Sequence, residues 1–128
     1  MATISILNGK VHRATVTEAD VHYVGSLTLD EDLMDAAGMF ANERVDVADI
    51  TNGERLSTYL LAGERGSGIV GINGAAALKI RQGDLVIIFA YAQMTPEEAR
   101  AHRPKLVFVD KDNRIVQLAE AEKHGDIA

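Results

Sequence analysis

The 128-residue chain contains no cysteine, no tryptophan and only two prolines. The lack of cysteine excludes disulfides, thiolate metal ligands and thiol nucleophiles. Aromatic residues make up only 5% of the chain, so a core must be built from aliphatic side chains. Hydrophobic residues at 47% and charged residues at 25% are typical of a globular protein, and the length fits a single domain.

Two further classes of partner are disfavoured by what the sequence lacks. The formal net charge is -6 and no lysine or arginine cluster stands out, so nucleic-acid binding is not expected. The strongest apolar run, 85–92, is far shorter than the ~20 residues of a membrane helix, and we expect a buried strand there. The first ten residues do not resemble a signal peptide. We therefore expect a cytoplasmic protein with no membrane partner.

Short segments rich in β-formers dominate the chain. Apolar and polar residues alternate in 45–50, which is typical of a half-buried strand, and Asn52-Gly53 then predicts a hairpin. Many short strands with little helix favour a closed barrel or a sandwich. The predicted strands are 11–17, 21–24, 45–50, 55–61, 69–72, 85–91, 106–109 and 114–118.

Two short helices have clear boundary signals. Asp30 is suited to the N-cap of the first helix, and Gly38 is suited to its left-handed end. Thr95 and Glu98 form a capping box for the second helix, which must end before Pro104. The polar tail beyond the last strand, 120–128, is predicted to be frayed.

Most signals of chemistry are weak. The glycine-rich stretch 63–68 lacks the lysine of a phosphate-binding loop and does not open a helix, so it predicts a flexible turn. The four histidines have no metal-ligand spacing, and no metal is expected. The acidic residues are too scattered to indicate the carboxylate pair of a glycosidase.

The dipeptide Gly25-Ser26 by itself predicts only a turn, and Gly66-Ser67 repeats it. Its surroundings are more informative, because several short motifs occur in one order at tight spacings between residues 6 and 104. They are Lys10-Val11-His12, His22-Tyr23-Val24-Gly25-Ser26, Thr51-Asn52-Gly53, Arg55-Leu56-Ser57-Thr58-Tyr59, Glu64-Arg65-Gly66-Ser67 and Asn73-Gly74-Ala75-Ala76-Ala77, followed by Gly83-Asp84. In combination they resemble the pyruvoyl-dependent aspartate 1-decarboxylase family.

This resemblance implies a mainly β fold, a six-stranded double-psi β-barrel with short flanking helices. It also implies a homotetramer whose active sites lie between subunits. The precursor would cut itself between Gly25 and Ser26, leaving a small chain, 1–25, and a larger chain, 26–128. Ser26 would become a pyruvoyl group, which replaces pyridoxal phosphate and requires no metal.

The resemblance assigns roles that suit these residue types. Gly25 has no Cβ and leaves its carbonyl open to attack by the Ser26 hydroxyl. Thr58 is the donor to the oxyanion formed during cutting, and Tyr59 is the proton donor after CO2 leaves. By residue type alone, Thr58 would be an ordinary β-branched strand residue, and Tyr59 a half-buried strand aromatic.

The implied substrate, L-aspartate, carries two carboxylates. Arg55 offers a planar fork for one of them, and Lys10 offers a compact charge for the other. By composition alone, both would be solvated surface charges, and Asn73-Gly74 would be another turn. The resemblance also implies Thr58, Asn73, Gly74, Ala75 and Ala76 as substrate contacts, with His12 and Tyr23 lining the site in unassigned roles.

The predicted function is conversion of L-aspartate to β-alanine and CO2, which supplies pantothenate and hence coenzyme A synthesis. One alternative is a pyruvoyl enzyme acting on another amino acid, such as glutamate. Another is a non-catalytic β-barrel that binds an acidic small ligand, which would remain one intact chain.

Overall fold

The computed structural model describes residues 2–126, and nine strands and two α-helices lie within that range. No helix in this range is long and apolar enough to cross a membrane. The elements are β1 Ile4–Thr15, β2 Glu18–Asp20, β3 Ser26–Asp30, α1 Glu31–Ala37, β4 Arg44–Asp49, β5 Arg55–Gly63, β6 Val70–Asn73, a 3-10 helix Gly74–Leu78, β7 Leu85–Met94, α2 Pro96–Ala101, β8 Lys105–Val109 and β9 Ile115–Ala119.

The strands close into a barrel. They are hydrogen-bonded in the order β2-β6-β3-β5-β4-β7-β1-β8-β9. β1 and β2 are consecutive in the chain, and between them the Thr17 amide donates to the Val70 carbonyl at 2.9 Å. β1 and β2 together thus form one segment, which stands at both ends of the order from β2 to β1. When that segment is counted once, six strands remain, and they close into the barrel. The predicted mainly β class, strand number and short flanking helices are confirmed.

Aliphatic side chains fill the barrel, as the scarcity of aromatics requires. On β7 the buried residues alternate with half-buried or exposed ones, because successive side chains point to opposite faces of a strand. The expectation of a strand buried throughout 85–92 was therefore wrong for one of its faces. Fully buried side chains include Val11, Leu27, Leu29, Val47, Leu60, Ile72 and Ile88.

The predicted strand at 21–24 is also wrong, since this segment is an exposed turn. The Asp20 carboxylate accepts a hydrogen bond from the His22 amide at 2.8 Å, which competes with extended pairing. Val24 is 75% exposed, so its β-branched side chain gains nothing from burial. Two strands that were not predicted, β2 and β3, flank this turn.

The helix boundaries are confirmed. The Asp30 side chain caps α1, and Gly38 ends that helix at φ +68°. Thr95 and Glu98 form the predicted capping box, and α2 ends before Pro104. These signals act within one helical turn, so local chemistry determines them.

The hairpin between β4 and β5 is confirmed, but its turn is longer than a two-residue turn. Ala48 pairs with Arg55, and only Gly53 has a positive φ, +79°. The Asp49 carboxylate accepts from the Thr51 amide, and the Asn52 side chain accepts from the Glu54 amide. These side-chain bonds stabilise the wider loop.

The glycine-rich stretch 63–68 contains a turn, as predicted, although its first residue, Gly63, is the last residue of β5. Both oxygens of the Asp30 carboxylate accept its amides, from Gly66 at 3.1 Å and from Gly68 at 2.8 Å. The backbone donors that a phosphate would need are therefore bound to a carboxylate of the same chain.

Candidate active site

Ser26, the first residue of β3, lies where the exposed turn enters the barrel. Gly25 is exposed, whereas Ser26 is only 1% exposed. The antiparallel pairing of β3 with β6 places Asn73 directly opposite Ser26. The Asn73 side-chain amide donates to Ser26 Oγ and to Thr28 Oγ1, both at 3.0 Å. The serine hydroxyl donates in turn to the Val24 carbonyl at 3.2 Å.

Gly74 allows the turn to pass close to β6. A Cβ on this residue would lie 2.6 Å from the Gly25 Cα and 3.3 Å from the Tyr23 carbonyl oxygen. Its φ of +76° is also a conformation that residues with side chains rarely adopt. The backbone that approaches Gly74 closely is thus that of Tyr23 and Gly25 in the same chain, beside the predicted cutting point.

A cleft of about 450 Å³ opens over Ser26. It brings together seven of the predicted site residues, and Gly74 lies immediately behind it. Lys79, which sequence reasoning missed, also lines this cleft and forms an ion pair with Glu54 at 3.3 Å. The sequence signal for Lys79 was its place two residues after the run of small residues 74–77. The lining is Gly25, Ser26, Leu56, Ser57, Thr58, Tyr59, Asn73, Ala75, Ala76 and Lys79.

β5 forms one wall of this cleft. It runs parallel to β3 with Leu27 beside Leu60, so the same register carried back by one residue places Ser26 beside Tyr59. Successive side chains of a strand alternate in direction, which puts Thr58 and Tyr59 on opposite faces of β5. Tyr59 is on the more exposed face, with Arg55.

Lys10 and Arg55 do not line the Ser26 cleft. Both instead lie against the ring of Phe89, with Lys10 Nζ 5.9 Å and the Arg55 guanidinium carbon 5.5 Å from its centroid. Lys10 is only 9% exposed, and its ammonium is paired with the Glu122 carboxylate at 2.7 Å. The two predicted carboxylate-binding cations therefore share one aromatic residue of β7.

A second cleft, of about 440 Å³, contains Lys10 and His12. His12 Nδ1 is buried without a hydrogen-bond partner in the described part of the chain. Burial, and then the charges of Lys10 and Arg13, lower the pKa of His12 below its ordinary value. These effects favour the neutral form of the His12 ring. The lining is Lys10, His12, Phe108, Gln117, Ala119, Ala121, Glu122 and Asp126.

Tyr23 lines neither cleft and is 62% exposed. Within residues 2–126, no group of three or more histidine or acidic side chains is placed to hold a metal. Chemically, the Ser26 cleft offers a positioned hydroxyl, an amide donor and a phenol. The residues around Ser26 thus fit a group made from this serine, since its hydroxyl is held by the Asn73 amide directly after an exposed glycine that has no side chain.

The chain matches the family model described as aspartate decarboxylase over residues 2–116. It is 57% identical to the aspartate 1-decarboxylase of Ruminiclostridium cellulolyticum, over 97% of each chain. It is 55% identical to the enzyme of that name from Caldicellulosiruptor saccharolyticus and 53% to that from Caldicellulosiruptor bescii, each over 96% of both chains.

Among solved structures, two designed double-psi β-barrels are distantly similar. A rationally designed protein has 21% identity and a TM-score of 0.47, with 68% of this chain and 96% of that chain covered. A computationally designed protein has 19% identity and a TM-score of 0.41, with 68% and 99% covered. The closed barrel is established by the strand pairing of this chain and not by these likenesses.

More than half of the residues are identical to those of these relatives over nearly the full length, which is enough for the chains to share one fold. The prediction of a double-psi β-barrel is confirmed with the family, and the six-stranded pairing agrees with it. The chain belongs to the aspartate decarboxylase family.

Proposed function

We propose that this protein is a self-processing decarboxylase that converts L-aspartate to β-alanine and CO2. The observation that carries the proposal is the buried hydroxyl of Ser26, which the Asn73 amide holds at 3.0 Å directly after the exposed Gly25. Family membership supports the substrate. The product supplies pantothenate and coenzyme A synthesis, and we place the enzyme in the cytoplasm.

Processing begins when Ser26 Oγ attacks the Gly25 carbonyl carbon and converts the peptide bond into an ester. The hydroxyl is a weak nucleophile, so its position contributes much of the rate. Thr58 donates to the oxyanion. Loss of the Ser26 α-proton and the ester carboxylate then separates 1–25 from 26–128. Hydrolysis of the resulting dehydroalanine releases ammonia and leaves a pyruvoyl group at residue 26.

Once formed, the pyruvoyl ketone supplies the electron sink for loss of CO2. The chain's own residues bind the substrate and deliver a proton. Tyr59, beside Ser26 in the register of β3 and β5, remains protonated at neutral pH and donates the proton that replaces CO2. Asn73, Gly74, Ala75 and Ala76 contact the substrate at the small-residue wall of the cleft. His12 and Tyr23 line the completed site in unassigned roles.

The positions of the cations support active sites that are completed between subunits, and we assign the assembly as the homotetramer that the family resemblance implies. Lys79 is the single charged side chain among the lining residues of the Ser26 cleft, whereas aspartate carries two carboxylates. Lys10 and Arg55 lie together against Phe89, outside that cleft. In the proposed assembly, Lys10 and Arg55 of one subunit bind the substrate at the Ser26 of its neighbour.

Intact-mass measurement of the purified protein tests the proposal. We expect two fragments, with the larger beginning at residue 26, reactive towards a carbonyl reagent and lacking a free amine. A free serine amine at that position would indicate ordinary proteolysis and contradict the pyruvoyl cofactor. One unbroken chain that decarboxylates aspartate would contradict self-processing itself.

A substrate panel separates this proposal from a pyruvoyl enzyme with another specificity. The protein is incubated with L-aspartate or L-glutamate under identical conditions, and released CO2 is measured. We expect turnover of aspartate with little turnover of glutamate, since one extra methylene displaces the second carboxylate from its cation. Faster turnover of glutamate would overturn the assignment of substrate.

A further inference from the structure

The C-terminal segment 120–126, here named the C-terminal strap, follows β9 and reaches the Lys10 cleft. It contains no helix or strand. Through Glu122 it makes a 2.7 Å ion pair with Lys10, a contact between residues 112 positions apart in the chain. Ala121, Glu122 and Asp126 of the strap line the cleft. The tail predicted to be frayed is thus attached at one point, and its last two residues, 127–128, lie outside the described range.

Glu122 places a carboxylate on the cation that is assigned to a substrate carboxylate. The Lys10 side chain is 11% exposed, and its ammonium lies 5.9 Å from the centroid of the Phe89 ring, so little of it remains open to an incoming anion. The Glu122 side chain is 41% exposed. Since Glu122 is on an irregular segment and Lys10 on a central strand, Glu122 is the partner that moves away most readily.

We propose that Glu122 is an internal competitor for Lys10, so that the C-terminal strap sets the affinity of the enzyme for its dicarboxylate substrate. This inference rests on the proposed function in one respect, that Lys10 binds a substrate carboxylate. In the closed state, the Glu122 carboxylate neutralises Lys10. Substrate binding exchanges that carboxylate for one of aspartate and releases the strap.

The first test is the variant Glu122→Gln, which retains the size of the side chain and removes its charge. We expect KM for L-aspartate to fall about three- to tenfold, because the competing ion pair is only partly exposed. The value of kcat should not change, since the strap has already left Lys10 when the substrate is bound. Glu120→Gln is the matched control, because it makes the same charge change on the strap but lines a different cleft, with Lys105 and Leu118.

A KM that is unchanged in Glu122→Gln, or that falls equally in Glu120→Gln, would overturn the proposal. A raised KM would also overturn it, because Glu122 would then be a residue that orients Lys10 for the substrate. If the unsubstituted protein does not decarboxylate aspartate, the proposed function fails instead.

A second readout does not depend on activity. The Glu122 charge raises the pKa of His12, against the lowering caused by burial, Lys10 and Arg13. Titration of the His12 ring by NMR should therefore show a lower pKa in Glu122→Gln and no change in Glu120→Gln. Identical titrations in all three proteins would mean that the strap does not contact this cleft in solution, and the proposal would fail.

Discussion

The Ser26 cleft and the Lys10 cleft have nearly the same volume but opposite character. The Ser26 cleft is lined mainly by small and uncharged residues, and Lys79 is its single charged lining residue. The Lys10 cleft contains Lys10, His12, Glu122 and Asp126. Under the proposed roles, making the cofactor and recognising an acidic substrate fall to different regions of one chain.

Each task has its own physical requirement. Attack on a backbone carbonyl needs a positioned hydroxyl, and the uncharged Asn73 amide fixes the Ser26 hydroxyl beside a turn that packs closely against Gly74. Binding of a carboxylate needs a cation that is partly removed from water, as Lys10 is. Variants of Ser26 and of the turn before it should therefore change processing, and variants of Lys10 should change substrate affinity.

The largest effect is expected for Ser26→Ala, which removes the nucleophile. The protein should remain one chain of 13.8 kDa and be inactive, as a denaturing gel and a CO2 assay will show. Ser67→Ala is the matched control, since Ser67 also follows a glycine, Gly66, but lies in an exposed turn. This variant should cut normally. Two fragments from Ser26→Ala would contradict the acyl-shift mechanism.

Tyr59→Phe should separate processing from turnover within the Ser26 cleft. We expect normal cutting with kcat lowered roughly 10²–10⁴-fold, the usual contribution of a general acid. Tyr91→Phe is the control, because Tyr91 is similarly exposed but lines another cleft, with Arg44 and Gln93. Normal turnover of Tyr59→Phe would remove this tyrosine from the role of proton donor.

Gly74→Ala tests the close approach behind Ser26. The added Cβ would lie 2.6 Å from the Gly25 Cα, so the turn must shift, and we expect cutting to slow about tenfold or more. Gly83→Ala controls for backbone strain alone, because Gly83 also has a positive φ, +90°, with open space around it. A time course of fragment formation compares the two, and equal rates would show that the approach is unimportant.

Lys10→Met should affect recognition without affecting processing. We expect complete cutting and a KM for aspartate raised about tenfold or more, because a charge-assisted contact to one carboxylate is lost. Lys111→Met, an exposed lysine in the turn before β9, should leave both unchanged. Slow cutting in Lys10→Met would contradict the separation of tasks between the two clefts.

The smallest effect concerns Asp49, which lines neither cleft. Burial, and then the neighbouring Asp84 carboxyl group, raise the pKa of Asp49 above its ordinary 3.8. A raised pKa means that the folded state binds this proton more tightly. The protonated Asp49 therefore contributes its full stabilisation below pH 3.8, and this contribution is lost as pH rises through the raised pKa of the folded state.

We expect Asp49→Asn to remove that loss, so that the free energy of unfolding falls less with rising pH than in the unsubstituted protein. Urea unfolding at a series of pH values will measure it. Asp110→Asn is the opposite control, because hydrogen bonds from the Arg114 and Asp112 amides lower the pKa of Asp110. An unchanged pH profile in Asp49→Asn would contradict the raised pKa.

Whether an element was predicted correctly depends on the interactions that form it. The caps at Asp30 and Thr95 were predicted correctly because each acts over three residues or fewer. The prediction of a strand at 21–24 was wrong because the Asp20 side chain accepts a hydrogen bond from the His22 amide, which overrides the β propensity of the segment. The pairing of Lys10 with Glu122 was not foreseen, since no local pattern relates residues 112 positions apart.

The candidate site shows the same limit. Motif resemblance assigned Ser26, Thr58, Tyr59, Asn73, Ala75 and Ala76 to one place, and the structure brings these residues to one cleft. It also assigned Lys10, Arg55, His12 and Tyr23 to this site between subunits, and the single chain does not bring them to that cleft. Motif order alone does not tell which residues of a predicted site meet within a single chain.

The sequence by itself determined the aliphatic core, the helix ends and the membership of a family, because these depend on residue type and short spacing. Only the tertiary structure decided that Asn73 faces Ser26 and that Glu122 covers Lys10. The physical reason is strand register: hydrogen bonding between distant strands sets which side chains meet, and closure of the barrel selects that register for all strands together.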